Sequence, residues 1–275
     1  MSQPEQAWIN GVAQQQLSVY DRGLQFGDGL FETLAVIDGR IAHWELHRAR
    51  LAHGCRRLGL PPPSWPQLEQ ELRLATTDCA RAVLKLIHTC GPSLRGYARP
   101  AAPEPQRILL RSAWPASLQR HSAAGLRIIW CRHRLATQPA LAGIKHLNRL
   151  DQVIARAEWQ DPAIDEGLLC NQQGNVIEGV ASNLFLVRDG ALLTPLLDDC
   201  GVAGVMREHL MQTAREAGIE VEETRIDRHD VTGAEELFLC NSLMGLRPVI
   251  RLADQGYDTG PLTRRLLTIL NNQDF

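Results

Sequence analysis

Two kinds of hydrophobic spacing alternate along this chain of 275 residues. The stretch "LAVIDGRIAH" (34–43) holds two apolar runs joined at Asp38-Gly39, a pair suited to a tight primed turn, and predicts a β-hairpin. Apolar side chains then recur at helical intervals. Trp44, Leu51, Cys55 and Leu58 share one face, which predicts a helix over 44–58. A second helix is expected in "SWPQLEQELRLATTDC", where Ser64 suits the cap, Pro66 the first turn, and Leu68, Leu72 and Ala75 the buried stripe. Strands follow in "AVLKLIHTC" and "RILLRSAW", separated by the Gly/Pro-rich loop "GPSLRGYARPAAPEP", which has no periodicity.

"WPASLQRHSAAG" reads as a linker, and a second block opens at "LRIIWC". Leu147, Leu150, Ile154 and Ala157 fall on one helical face, which places Lys145 where a loop enters a helix. Two further hairpins are expected, "GLLCNQQGNVIEG" and "NLFLVRDGALLTP", each with turn chemistry at its middle. "CGVAGVMREHLMQTAREAG" predicts a helix opened by glycine and closed by Gly218 just past its end. The strands "VEETRI", "ELFLCNS" and "RPVIRL" complete the block. Hairpins are too frequent for a doubly wound parallel sheet, so the expectation is a mixed α/β chain in two domains. These are residues 1–114, a linker over 115–122, and residues 123–275, the last carrying Lys145.

Composition narrows the function classes. An apolar content of 44%, a charged content of 22% and a net charge of −2 describe an ordinary globular chain without the basic runs of a nucleic-acid or anionic-membrane binder. No apolar stretch reaches the length of a transmembrane helix, and "MSQPEQAWIN" lacks the order of a signal peptide. The seven cysteines are scattered, with no CxxC pair, so neither a disulfide framework nor a metal site is expected and a cytoplasmic location is. Most read as small core residues.

One compositional fact bears on chemistry. Of 29 Lys and Arg residues only Lys85 and Lys145 are lysines. An amine can lose its proton and attack a carbonyl, which a guanidinium cannot. No GxGxxG, Walker, HExxH or GxSxG motif is present. What remains suits a phosphorylated cofactor with a reactive aldehyde. Lys145 would form the Schiff base, and Gly204, Val205 and Met206 would present helix N-terminal amides to a phosphate. Arg50 could chelate the same phosphate, and Glu178, ending the strand in "NVIEG", would keep a pyridine nitrogen protonated. His47 and His146 read as supporting residues.

The segments "DRGLQFGDGLFET" (21–33), "HRARL" (47–51), "IKHLNRLDQV" (144–153), "VIEGVASNLF" (176–185) and "GVAGVMRE" (201–208) resemble, in order and spacing, the landmarks of the pyridoxal-phosphate enzymes of fold type IV. That group holds branched-chain and D-amino-acid aminotransferases together with aminodeoxychorismate lyase. The resemblance implies a small N-terminal α/β domain, a larger C-terminal pseudo-barrel domain and a homodimer. It also implies that Lys145 is the Schiff-base lysine and Glu178 the pyridine partner. Arg50, the amides of 204–206, and Asn241 and Ser242 of "CNSLMG" would hold the phosphate.

Within the group, "AGIKHLNRL" and "RGY" (95–97) are most similar to the lyase branch. D-amino-acid transaminases typically have Tyr where this chain has Phe31, and an Arg-x-His pair where it reads "LRGYARP"; branched-chain enzymes usually have Tyr in place of Leu150. The resemblance therefore implies loss of pyruvate from 4-amino-4-deoxychorismate to give 4-aminobenzoate, with an aminotransferase as the alternative. Thr33 is the candidate for moving a proton to the leaving group. Arg95 is the candidate for a substrate carboxylate, with Phe31 and Tyr97 as further substrate contacts.

Overall fold

The computed structural model describes residues 6–116 and 125–271. They form two compact units. The first comprises residues up to Pro115 together with the strip Ile144–Asn148; the second comprises Ala116–Gly143 and the chain from Arg149 onward. Most of the linker expected over 115–122 lies outside the described residues.

The first unit is built on a six-stranded sheet. Its strands are β1 (Gln6–Ile9), β2 (Val12–Ala13), β3 (Gly29–Ile37), β4 (Arg40–Ile41), β5 (Arg81–Thr89) and β6 (Gln106–Ala113), in the order β2-β1-β6-β5-β3-β4. Every pairing is antiparallel. The β3–β4 turn is the predicted one, with Asp38 and Gly39 both at positive φ. Three helices complete the unit: α1 (Arg22–Phe26), α2 (Trp44–Leu58) and α3 (Trp65–Thr76). The second and third match the predicted helices and bury Leu51, Cys55, Leu68, Leu72 and Ala75 against Leu30, Leu34, Leu84, Leu86 and Leu109. Because side chains alternate across a strand, Leu30, Glu32, Leu34 and Val36 face this core, while Phe31 and Thr33 stand on the opposite face.

The second unit is a nine-stranded curled sheet. Its strands are β7 (Leu126–Leu135), β8 (Glu166–Asn171), β9 (Val176–Gly179), β10 (Asn183–Arg188), β11 (Ala191–Pro195), β12 (Val221–Thr224), β13 (Glu236–Asn241), β14 (Gly245–Leu252) and β15 (Gln255–Gly256). The order runs β12-β11-β10-β13-β14-β7-β8-β9, and the two ends approach where Val176 N donates to Ile226 O at 2.7 Å. Four helices pack on it: α4 (Leu150–Arg156), α5 (Val205–Glu216), α6 (Arg228–Thr232) and α7 (Pro261–Asn271).

Alternation explains why β10 and β13 are apolar at nearly every position. Leu184, Leu186, Leu237 and Leu239 fill the inside of the curl. Phe185 and Phe238, stacked at 5.1 Å, point outward to Leu210, Met211 and Leu266 of α5 and α7. Burying each such side chain contributes roughly 1.5–3 kcal/mol. The unit is thus a curled sheet of the expected pseudo-barrel kind, and the chain is mixed α/β.

Two expectations need correction. The helix after Lys145 begins only at Leu150, and its apolar residues are not a buried stripe, since Leu150 is 74% and Ile154 52% exposed; Ala155 is what it buries. Nor does Lys145 group with the C-terminal block. Main-chain hydrogen bonds lay its strip against β3: Phe31 N donates to Lys145 O at 3.0 Å and Leu147 N to Gly29 O at 3.1 Å, so residues 144–148 belong to the first unit.

Candidate active site

In the first unit the strip extends the sheet by one more strand-like partner of β3, with Leu30 bridged to His146. Antiparallel partners share a face, so Lys145 stands beside Phe31, with its Nζ 4.4 Å from the ring centroid. Ile144 on the other side is buried against Leu30 and Gly54, which fixes the strip. Thr33, two residues along β3, shares the Phe31 face.

On the core face of β3, Glu32 is buried among leucines and meets two residues of α2. His47 Nδ1 lies 2.6 Å from Glu32 Oε2. Arg50 Nε donates to Glu32 Oε1 at 2.9 Å, and Arg50 Nη2 donates to Oε2. Burial opposes ionisation of Glu32, but the Arg50 charge and the His47 and Arg50 hydrogen bonds outweigh it and hold the carboxyl down at about 2. His47 moves down as well, chiefly because burial disfavours the imidazolium. A neutral His47 must then donate from Nδ1 to the carboxylate, and its buried Nε2 has no hydrogen-bond partner among the described residues.

The loop read as irregular is tied down from within. Arg22 is buried and donates to Asp28 Oδ2, Ser93 Oγ, Gly96 O, Tyr97 O and Ala98 O. Arg99 donates to both Asp28 oxygens and to the carbonyls of Leu58 and Gly59. Burial alone would raise the Asp28 carboxyl, yet the two guanidinium groups bring it below the usual range. Arg95 and Tyr97 project from this braced loop. Arg95 is exposed, and Tyr97 is 87% exposed with its ring against Phe26.

In the second unit Glu178 sits on β9, buried. Its Oε2 accepts from Val202 N at 2.8 Å and its Oε1 from Gln152 Nε2 at 3.3 Å. Arg149, whose guanidinium burial pushes down while Glu178 pulls the other way, adds positive potential at this carboxylate. Gly204 caps α5 with extended backbone and no side-chain cap, leaving the first-turn amides of Val205 and Met206 without a protein acceptor of that kind. A Cβ at Gly204 would collide with Asn183 Oδ1, whose Nδ2 holds Val202 O at 2.9 Å.

Asn241 closes the β13–β14 turn. Its Oδ1 accepts from Leu243 N and Met244 N, and its Nδ2 donates to Ala181 O. Its side chain therefore shapes the turn that carries Ser242.

Each unit thus carries part of the predicted set: in the first, Lys145, Phe31 and Thr33 on one face of the sheet and Arg50 with Glu32 on the other; in the second, Glu178 and the α5 amides. Sequence reasoning missed Glu32, Arg22, Arg99 and Asp28. Glu32 had a signal, since it is the one charged residue at a core-facing register of "LFETLAV". The Arg22 fan had none, because its main-chain acceptors lie 74, 75 and 76 residues away.

The donor set matches pyridoxal phosphate. Taken unit by unit, an amine over an aromatic ring in the first, and a buried carboxylate pinned by two donors and a glycine-capped helix start in the second, have the chemistry that an aldehyde, a pyridine nitrogen and a phosphate would call for. Residues 29–252 match the model of the amino-transferase class IV family, and the chain belongs to that family. It is 34% identical over 268 residues to the aminodeoxychorismate lyase of Vibrio harveyi, covering 96% of this chain and 99% of that one. The crystal structure of 4-amino-4-deoxychorismate lyase from Pseudomonas aeruginosa superposes with a TM-score of 0.94 at 48% identity, over 98% of this chain and 100% of that one. A hypothetical aminotransferase from Mycobacterium tuberculosis in its PLP-bound form shares the fold, with a TM-score of 0.84 at 22% identity over 97% of both chains.

Proposed function

We propose that this chain is a pyridoxal-phosphate-dependent lyase that converts 4-amino-4-deoxychorismate to 4-aminobenzoate and pyruvate, a step of folate biosynthesis. One observation carries the reading beyond the family: the Lys145 amine stands over the ring of Phe31, an apolar floor suited to a flat six-membered ring. The similarity to two aminodeoxychorismate lyases supports it.

Pyridoxal phosphate, when bound, supplies an electron sink for the charge formed at the carbon bearing the substrate amine. Lys145 provides the amine that holds the cofactor and, once the substrate amine displaces it, takes the proton from that carbon. The adjacent C–O bond then breaks, its electron pair leaving with the enolpyruvyl oxygen. Thr33 moves a proton to that leaving group, which becomes pyruvate, and the ring becomes aromatic. Glu178, pinned by Val202 N, pairs with the pyridine nitrogen. Arg50, the amides of Gly204, Val205 and Met206, and the turn bearing Asn241 and Ser242 hold the phosphate. Arg95 and Tyr97 reach substrate from the braced loop.

The working form is a homodimer in the cytoplasm. Tyr20, Leu24, Leu94 and Tyr97 support the first point, since these large hydrophobic side chains of the first unit are exposed. Among the described residues no helix is long and apolar enough to cross a membrane.

The deciding experiment incubates the protein with 4-amino-4-deoxychorismate and no 2-oxo acid. Equal amounts of 4-aminobenzoate and pyruvate are expected. Far faster turnover of D-alanine with 2-oxoglutarate would overturn the lyase reading in favour of an aminotransferase. Borohydride reduction should label the peptide around Lys145; a label on Lys85 would refute the lysine assignment.

A further inference from the structure

The chain's second lysine stands on the same ring as its first. Lys85 Nζ lies 5.1 Å from the Phe31 centroid, and Lys145 Nζ lies 4.4 Å from it. Strand register explains the arrangement. Phe31 pairs with Ile87 and Thr33 with Lys85, so Lys85, Ile87, Phe31, Thr33 and Lys145 all project from the face of the sheet opposite the helices.

Three features set Lys85 apart from an ordinary surface charge. First, β5 lies between β6 and β3, so the lysine does not protect an exposed edge. Second, its neighbours on that face are uncharged, with Ile87 on its own strand, Leu110 opposite it on β6 and Thr33 opposite it on β3. Third, no carboxylate among the described residues pairs with it. By contrast, the buried arginines of this unit are neutralised by Asp28, Glu32 or Glu71. Lys85 is thus an exposed ammonium without a carboxylate partner among the described residues, on an uncharged face beside Lys145, where an anion can approach it.

We propose that Lys85 binds the ring carboxylate of the substrate and so selects for it. This rests on the lyase reading, since it is that substrate which carries an amine and a carboxylate at opposite ends of one six-membered ring. Both ammonium nitrogens stand at the one Phe31 ring, 5.1 Å and 4.4 Å from its centroid. The amine would reach the Lys145 end, the ring would lie against Phe31, and the carboxylate would reach Lys85. Lysine suits the place better than arginine. Its compact charge sits at the end of a flexible stem, whereas a guanidinium would stack flat on Phe31.

The test compares Lys85→Met and Lys85→Arg with the wild type in two measurements. In steady-state kinetics with 4-amino-4-deoxychorismate, Lys85→Met should raise KM roughly tenfold to a hundredfold and leave kcat within about twofold, as expected for losing a charge-assisted bond made equally in ground and transition states. Lys85→Arg, which keeps the charge but lays it flat on Phe31, should recover only part of that loss. In calorimetric titration of the holoenzyme, Lys85→Met should weaken 4-aminobenzoate by a similar factor and leave aniline, which lacks the carboxylate, unchanged. Equal binding of 4-aminobenzoate by wild type and Lys85→Met would overturn the proposal. So would an equal loss for 4-aminobenzoate and aniline, because the lysine would then not be reading the carboxylate. If the wild type releases no pyruvate, the lyase reading fails, and the titration still decides for or against Lys85.

Discussion

Glu32 of β3 and Arg50 of α2 are joined by two hydrogen bonds through Nε and Nη2, and His47 approaches the same carboxylate at 2.6 Å. This buried cluster ties the strand that carries Phe31 and Thr33 to the helix behind it. Its folded-state value near 2 lies below the ordinary 4.5, so Glu32 binds its proton more weakly in the folded state than in the unfolded one. The resulting stability is fully present above about pH 4.5 and is lost as pH falls toward 2. A depression of that size is worth on the order of 3 kcal/mol. Glu32→Gln should lower the urea-unfolding stability at pH 7 by about that amount or more, because Arg50 is left buried without its counterion. The variant should also lack most of the wild type's loss of stability between pH 4.5 and 2. An acid limb identical to the wild type would show that Glu32 does not carry it.

Glu178 and Arg50 should fail in different ways. Glu178→Gln keeps an acceptor for Val202 N, so the protein should fold and retain cofactor. Its kcat should fall on the order of 100-fold or more, since the pyridine nitrogen loses a charged partner. Arg50→Ala should instead weaken cofactor affinity and also destabilise the cofactor-free protein by about 3–5 kcal/mol, because Glu32 loses its main counterion. Equilibrium dialysis of the cofactor together with urea unfolding of the apoprotein separates the two. Near-normal turnover in Glu178→Gln would contradict its role.

These contrasts mark how far the sequence could be read. Helices α2 and α3 and the hairpins at Asp38-Gly39 and Asp189-Gly190 were legible because local signals and burial agree there. The residues that meet one another across the chain were not. The Lys145 strip looked like the entrance to a helix because Leu147, Leu150 and Ile154 are helically spaced, yet main-chain pairing with β3 claims the strip and leaves Leu150 and Ile154 exposed. Periodicity reports a face without saying what covers it. Lys145, Glu178 and the α5 start stood out through residue chemistry and resemblance. Arg22, whose five acceptors include three main-chain carbonyls, could be found only in three dimensions.

At Gly204 the absence of a side chain makes room for a neighbour. The residue's φ of −69° is open to any amino acid, so backbone strain does not require glycine. Asn183 does, because its Oδ1 occupies the space that a Cβ would need. Gly204→Ala should push Asn183 away, loosen its 2.9 Å hold on Val202 O, and shift the segment that also holds Glu178. Cofactor affinity should fall roughly tenfold in dialysis, with little change in kcat at saturating cofactor. Unchanged affinity would mean that the α5 start does not receive the phosphate.

The braced loop permits a sharper test of substrate recognition, since Arg95 and Arg22 belong to it in opposite ways. Arg95 is exposed and makes no hydrogen bond to the described residues, so Arg95→Ala should leave the melting temperature and the bound cofactor's spectrum unchanged. If its guanidinium meets a substrate carboxylate, KM for 4-amino-4-deoxychorismate should rise roughly tenfold while kcat holds. Arg22 is buried and gathers Ser93, Gly96, Tyr97 and Ala98, so it acts by holding the loop in shape. An ammonium cannot reproduce that fan of donors. Arg22→Lys should therefore raise KM as well, but with a lower melting temperature and faster proteolytic cutting within residues 91–105. A normal KM in Arg95→Ala alongside a raised KM in Arg22→Lys would show that the loop's shape matters and that this arginine does not read the substrate.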